Sequence, residues 1–501
     1  MKNYKYIGLF LLSLSIISCD VNNDLDEIEA EVVPVVELNT NGLDFSSYVA
    51  VGASFTAGFT DNGLFKATQE NSFPNILASK FRTDFTQPLM NDNFGGLILA
   101  GNPVIDPASS QRLFSERLVF GGAGPVPLQA VDPSAMSTTD FALNNPTGPF
   151  NNLGVPGAKS FHLVAPGFGN LNNFAAGLAN PYAIRMTGSS PNKSILELAI
   201  EQNPTFFTLS EVGGNDVLGY ATTGGDGSNP ITDIATFDAS LNALVNGLTA
   251  NGAKGAIGNL PDITSLSFFT TVAYNAVPLD EATAAQLNAG YAAYNAGLQQ
   301  AFAALAGTGL LSEEEVAKRT ISFSAGQNAV VIVDENLTNL GAINPAFAAI
   351  PQYRQATPED LITLTAGSIL PSGGGTAVPL SDTYVLTPEE QEEIANATNA
   401  YNASIAAIAA SKDLALVDLN AVLVEATDTG ITFDEYSMNT SLVFGGLVSL
   451  DGVHLTARGY AYMANSFLKA IDEKYGSNFT EATDGLAKAG DYPTNYSPTL
   501  R

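Results

Sequence analysis

A doubly wound α/β fold built on a parallel sheet is what this sequence predicts, and three observations carry the prediction. From about residue 45, short apolar runs alternate with helical stretches. The runs are continuous and closed by turn residues, the pattern of strands buried in a parallel sheet. Two candidate chemical motifs begin directly after such runs, where open parallel sheets place their ligands.

The elements follow in order. Residues 48–51 form an apolar run that ends at Gly52. A helical stretch at 194–200 is stopped by Asn203 and Pro204 and gives way to a second run at 205–210. Helix then strand, repeated, begins a doubly wound sheet. Residues 233–248 read as a helix that leads to a strand at 254–260, ended by Pro261. A long helix at 389–410, entered through Thr387 and Pro388, precedes a strand at 414–419. The last helix spans 457–474, with Thr456 as its N-cap.

Two insertions interrupt this alternation. Residues 91–150 are rich in Gly, Pro, Asn and Ser, which suggests a loop-rich excursion over the strand ends that could form part of a substrate cleft. Residues 265–385 carry their own helix at 280–305, a strand at 329–333 and a flexible loop at 371–375. The core domain is expected over 45–480, with 481–501 as a polar tail along the surface.

The N-terminus addresses the compartment. Lys2 and Lys5 precede an apolar run at 7–17, too short to span a bilayer, followed by Ser18 and Cys19. This reads as a lipoprotein signal over 1–18, with Cys19 as the residue that carries palmitate-type acyl chains and 19–44 as an acidic tether. The expected location is the cell envelope, anchored to the outer membrane on its periplasmic face or at the cell surface. Cys19 is the only cysteine, so disulfides within the chain and thiolate zinc sites are excluded. With 45% hydrophobic residues in 501, stability comes from a large core. The formal charge of -30 argues against nucleic acid and anionic headgroups as partners.

Three short segments supply the chemistry. In Gly52-Ala53-Ser54-Phe55-Thr56-Ala57-Gly58 a serine sits between a buried strand and a helix start, where the helix N-terminus favours a developing oxyanion. Gly213-Gly214-Asn215-Asp216 follows a strand and places a side-chain amide at its C-terminal end. Asp451-Gly452-Val453-His454 offers a base and an orienting carboxylate three residues apart. The chain has only one other histidine, His162, so imidazole chemistry has little choice. Taken singly, each segment is as well explained by a cap or a turn. Asn152-Leu153-Gly154-Val155-Pro156-Gly157-Ala158 likewise is a turn, or a place where the Gly157 N–H points into the cleft. Residues 224–229 lack a calcium-ligand loop and read as turns.

In this order the segments resemble the four blocks of the SGNH, or GDSL-type, hydrolases. The stretch Leu450-Asp451-Gly452-Val453-His454-Leu455-Thr456-Ala457-Arg458-Gly459-Tyr460 looks like that family's final block over its whole length. The resemblance implies a flavodoxin-like three-layer α/β/α sandwich. It implies Ser54 as nucleophile, His454 as base, Asp451 as its partner, and the Ser54 N–H, Gly157 and Asn215 as oxyanion donors. Two departures stand out. Ala53 and Phe55 flank Ser54 where the family has Gly-Asp-Ser-Leu, which implies a less rigid elbow, and the insertions fall outside the compact pattern.

The expected activity is carboxylic ester hydrolysis through an acyl-enzyme on Ser54, without cofactor or metal, by a lipid-anchored monomer. The substrate would be a small-molecule ester, a lipid or an acylated glycan. Phe55, Phe59, Leu64 and Phe65 could receive an acyl chain, although their spacing also suits the core. The alternatives are an acetylated-glycan deacetylase of the same mechanism and a non-catalytic surface binding lipoprotein. The absence of tryptophan disfavours carbohydrate stacking.

Overall fold

The computed structural model describes residues 34–107 and 110–501, so the signal segment, Cys19 and the acidic residues through Glu31 lie outside it. Among the described residues no helix is long and apolar enough to cross a membrane.

The chain is α/β, with a five-stranded, all-parallel sheet flanked by helices. Strand β1 (Tyr48–Gly52) is buried at every position and leads through Ala53 into the single turn α1 (Ser54–Ala57). Helix α2 (Phe73–Phe81) follows, then the first insertion and strand β2 (Asn152–Gly154). Helix α3 (Ile195–Ile200) is opened by a capping box between Ser194 and Glu197. It feeds β3 (Phe206–Ser210), again buried throughout. Helix α4 (Gly214–Thr222) starts four residues beyond β3, and α5 (Ile234–Thr249), capped by Asp233, leads to β4 (Lys254–Gly258).

The second insertion contains α6 (Glu281–Ala304). The core resumes with α7 (Pro388–Ser411), β5 (Ala415–Val417), α8 (Leu419–Asp428) and α9 (Ala457–Tyr475). Thr456 caps α9 by accepting the Gly459 N–H at 3.0 Å.

The strands are ordered β5-β4-β3-β1-β2. Tyr48 of β1 sits opposite Phe206 of β3, and Ala50 opposite Asn152 of β2. The chain therefore leaves β1 toward β2 on one side and returns to β3 on the other. That reversal opens a crevice at the carboxyl ends of β1 and β3. Val49, Val51, Phe206, Phe207 and Leu209 are fully or almost fully buried along these two strands, and each such side chain contributes about 1.5–3 kcal/mol. Phe73 of α2 stacks on Phe467 of α9, with ring centroids 5.0 Å apart.

Among the boundaries that differ from the sequence reading, two have clear local reasons. Residues 152–154 form edge strand β2 instead of a turn. Their strand signal is faint because the run is short and contains Asn152, whose amide is held by Thr56 O and Gln87 Oε1, both at 2.9 Å. Strand β5 stops at Val417, because Asp418 turns out of the sheet to cap α8 through the Ala421 N–H.

The insertions are small structures in their own right. Residues 91–150 make two short hairpins around the buried Arg117, which donates to Asn93 O and Ser497 O and lies over the Phe65 ring. The tail returns over this insertion, where Arg501 pairs with Asp132 at 2.6 Å. Residues 265–385 carry separate small cores and a buried Arg354 that pairs with Asp334 and Asp360.

Candidate active site

Ser54, at the head of α1, is 5% exposed. The four N–H groups that open a helix lack partners within it and attract negative charge. Here Glu211 answers them from the end of β3. Its Oε1 accepts the Phe55 N–H at 2.9 Å and the Ser54 hydroxyl at 3.2 Å, while its Oε2 accepts the Thr56 N–H at 2.9 Å. Burial pushes the Glu211 carboxyl up to about 6, against the opposing effect of the Phe55 and Thr56 N–H groups. Ala53 brings no carboxylate to this turn, and Glu211, just past β3, brings one that ties down the turn at Ser54. Glu211 holds a left-handed φ of 48°, which turns the chain out of β3. The sequence reading missed it, although a charged residue ending a buried strand was the available signal.

Asp451 and His454 meet in the loop that enters α9. His454 Nδ1 lies 2.9 Å from Asp451 Oδ2. Asp451 Oδ1 accepts the backbone N–H groups of Val453 and His454 at 2.9 and 2.8 Å, and the Asn62 N–H binds Oδ2 at 2.8 Å. Burial by itself would raise Asp451, but the His454 ring and these N–H groups outweigh it and hold the carboxyl well below the usual range. With Nδ1 facing the carboxylate, Nε2 is the nitrogen left for other partners.

The loop's tight shape needs Gly452. Its φ is 77°, and a Cβ there would lie 2.8 Å from the Phe268 backbone nitrogen, whose N–H donates to Gly452 O at 2.9 Å. The start of the second insertion is therefore braced against the Asp451–His454 loop. A further carboxyl missed in the sequence, Asp61, accepts the Leu450 N–H at 3.0 Å. Burial pushes Asp61 up to about 7, opposed by that N–H and reinforced by Asp451.

Asn215 occupies the first turn of α4 and donates to Ala158 O at 3.0 Å. Next to it, the fully buried Asp216 accepts the Ser160 N–H at 2.8 Å and hydroxyl at 2.7 Å. These two residues fasten the 157–160 segment to α4. Gly157 is exposed, with a φ of 78°. Among the described residues, neither the Ser54 nor the Gly157 N–H has a hydrogen-bond acceptor. The Asn215 amide nitrogen carries two hydrogens, and only one bond from it is made.

Ser54, Asn215 and His454 line one cavity of about 90 Å³, with Glu211 also in its wall. The remainder is almost entirely aliphatic, with Leu218 from α4, Leu260 and Ile263 after β4, Val422 and Leu423 from α8, and Met463 from α9 among the contributors. Gly157 does not line it, and no residue of 91–150 does. The expected apolar residues are mostly elsewhere. Phe55 is in the wall, but Phe59 packs against the His454 ring at 4.7 Å, and Leu64 and Phe65 are buried in the core. The first hydroxyl contact is also unlike a ready nucleophile, since no hydrogen bond joins Ser54 Oγ to His454 among the described residues. His162 lies apart, stacked on Phe168 at 4.5 Å with Nδ1 accepting the Lys159 N–H, and burial lowers its pKa.

Comparison with known protein families, with curated proteins and with solved structures finds no match for this chain.

Proposed function

We propose that the chain is a serine ester hydrolase of the SGNH type, lipid-anchored through Cys19 at the outer membrane, that cleaves esters of an apolar acyl group. The observation that carries this reading is the wall of the apolar cavity, where Ser54 and the Asp451-paired His454 both lie. The strand order, numbered along the sheet as 2-1-3-4-5, supports a flavodoxin-like scaffold.

In this mechanism the Ser54 hydroxyl swings from Glu211 toward His454 as the ester binds, a tightening common when substrate fills a site. Ser54 Oγ attacks the ester carbonyl and His454 Nε2 takes its proton, while Asp451 holds Nδ1–H and stabilises the imidazolium. The oxyanion is met by the Ser54 N–H and the Asn215 amide at the cavity wall, and the unbonded Gly157 N–H, outside that wall, is the third donor in this reading. Collapse of the adduct expels the alcohol, which leaves with the proton from His454. Water, deprotonated by His454, then releases the acid and restores Ser54. The aliphatic wall favours an acyl chain over an acetylated sugar as the group held in the cavity.

A second reading, a binding lipoprotein without turnover, draws on the Ser54 hydroxyl resting on Glu211. The two are separated by hydrolysis of p-nitrophenyl acetate, butyrate and a long-chain ester, with Ser54→Ala in parallel. Turnover that rises with chain length and vanishes in the variant supports the hydrolase. A folded protein inert toward all three favours the binding protein.

A further inference from the structure

Away from the cavity, three carboxylates from separate segments converge. Glu335 follows the strand Val331–Val333 in the second insertion, Asp382 opens the 3-10 turn Asp382–Tyr384, and Glu390 lies in the first turn of α7. Each offers an oxygen, and the three oxygens lie within 4.8 Å of one another. Among the described residues none of the three forms an ion pair with Lys or Arg. The basic side chains of this insertion are engaged nearby, Lys318 and Arg354 with Asp334 and Arg319 with Glu315.

Glu390 makes the cluster more than a patch of surface acid. It is 3% exposed. Its Oε2 accepts the Thr387 N–H at 2.7 Å and hydroxyl at 3.0 Å, closing the capping box of α7. Its Oε1 is buried and receives no N–H or hydroxyl donor among the described residues, and the neighbour that reaches this carboxyl, Glu335, is itself a carboxylate, a costly state for a carboxylate oxygen. The backbone after α4 packs onto the same place: a Cβ at Gly225 would collide with Glu390 Oε1, and one at Gly224 with Asp382 O. Asp226, in the same loop, has its Oδ1 occupied by the Ser228 N–H and hydroxyl.

We propose that Glu335, Asp382 and Glu390 bind a hard divalent cation, Ca²⁺ or Mg²⁺, that ties the 265–385 insertion to α7. An all-carboxylate set, with no histidine or thiolate, suits these ions and not zinc or copper. A divalent charge removes the mutual repulsion and gives the orphan Oε1 a partner. The competing occupant is a proton, because burial and the facing Glu335 carboxylate push both Asp382 and Glu390 above the ordinary carboxylate range. The reading adds to the ester-hydrolase proposal and does not depend on it.

The test is calorimetric titration of CaCl₂ and of MgCl₂ into the EDTA-treated full chain, with thermal unfolding followed in both states. One saturable site is expected for at least one ion, with a Kd on the order of 10⁻⁴ M or tighter, and a Tm several degrees higher with the ion. Asp382→Asn and Glu335→Gln each weaken that site at least tenfold, whereas Glu313→Gln, an exposed carboxylate elsewhere on the insertion, leaves it unchanged. The strongly acidic chain gathers cations diffusely, so binding must saturate to count. Absence of a saturable site and of a Tm shift with both ions, or wild-type affinity in both cluster variants, overturns the proposal.

Discussion

Glu211 receives the Ser54 hydroxyl at 3.2 Å with the same carboxylate that receives the Phe55 and Thr56 N–H groups. One side chain therefore fixes the turn that carries the proposed nucleophile and also holds the nucleophile's proton at rest. Replacing it with Ala orphans two helix-opening N–H groups, which costs about 1–3 kcal/mol. Glu211→Ala is expected to lose that much unfolding free energy in urea denaturation and to lose esterase kcat in steady-state kinetics.

Glu211 also sets a pH signature. Its carboxyl is pushed up from 4.5 to about 6 in the fold, so the folded state favours the protonated form. That contribution is fully present below pH 4.5 and is lost as pH rises through 6. Relative to Glu211→Gln, the wild type is expected to lose about 1–2 kcal/mol of stability between pH 4.5 and 7. Urea unfolding of both proteins at the two pH values measures the difference.

Asp451 behaves in the opposite sense. Although burial opposes it, His454 and the backbone N–H groups hold its carboxyl below the ordinary 3.8, so its contribution is present above that value and lost as pH falls further. Asp451→Asn is expected to lower kcat by roughly 10²–10⁴ while flattening acid unfolding below about pH 4. Activity at neutral pH and an acid titration by circular dichroism read the two effects separately.

Asn215 is expected to act on rate more than on substrate affinity. Asn215→Ala removes the amide that the proposed mechanism sets against the oxyanion, for a loss of roughly 10²–10³ in kcat with little change in KM.

Leu218 tests the acyl cavity. It lines the wall and is only half-buried, so a larger residue can enter without crowding the core. Leu218→Trp is expected to cut kcat/KM for a long-chain ester at least tenfold while sparing the acetate ester, as a chain-length series would show.

The regular parts of this chain were readable because their patterns are long or strongly apolar. Strand β1 is an apolar run ending at Gly52, β3 opens on Phe206 and Phe207 with Thr208 its one break before Leu209, and α5, α7 and α9 announce themselves through Asp233, Thr387 and Thr456. Strand β2 was not readable, because three residues with a polar leader give no period and its place comes from pairing with β1. The pairing of Asp451 with His454 follows from a three-residue spacing in one loop, and their meeting with Ser54 follows from the sheet. Glu211 and Asp61 escaped because each acts across hundreds of residues or from a turn, on partners that only the folded sheet brings near. The cavity wall escaped for the same reason, since α4, α8 and α9 each contribute one to three aliphatic residues that are indistinguishable from core in sequence.

The most direct test of the serine mechanism is covalent. The chain is treated with a fluorophosphonate carrying an alkyl chain and mapped by peptide mass spectrometry. A single adduct on Ser54, absent from Ser54→Ala and formed at least a hundredfold more slowly in His454→Ala, is the result expected from a His454-activated serine. A folded protein that acquires no adduct on Ser54, or acquires it equally fast without His454, would contradict the account.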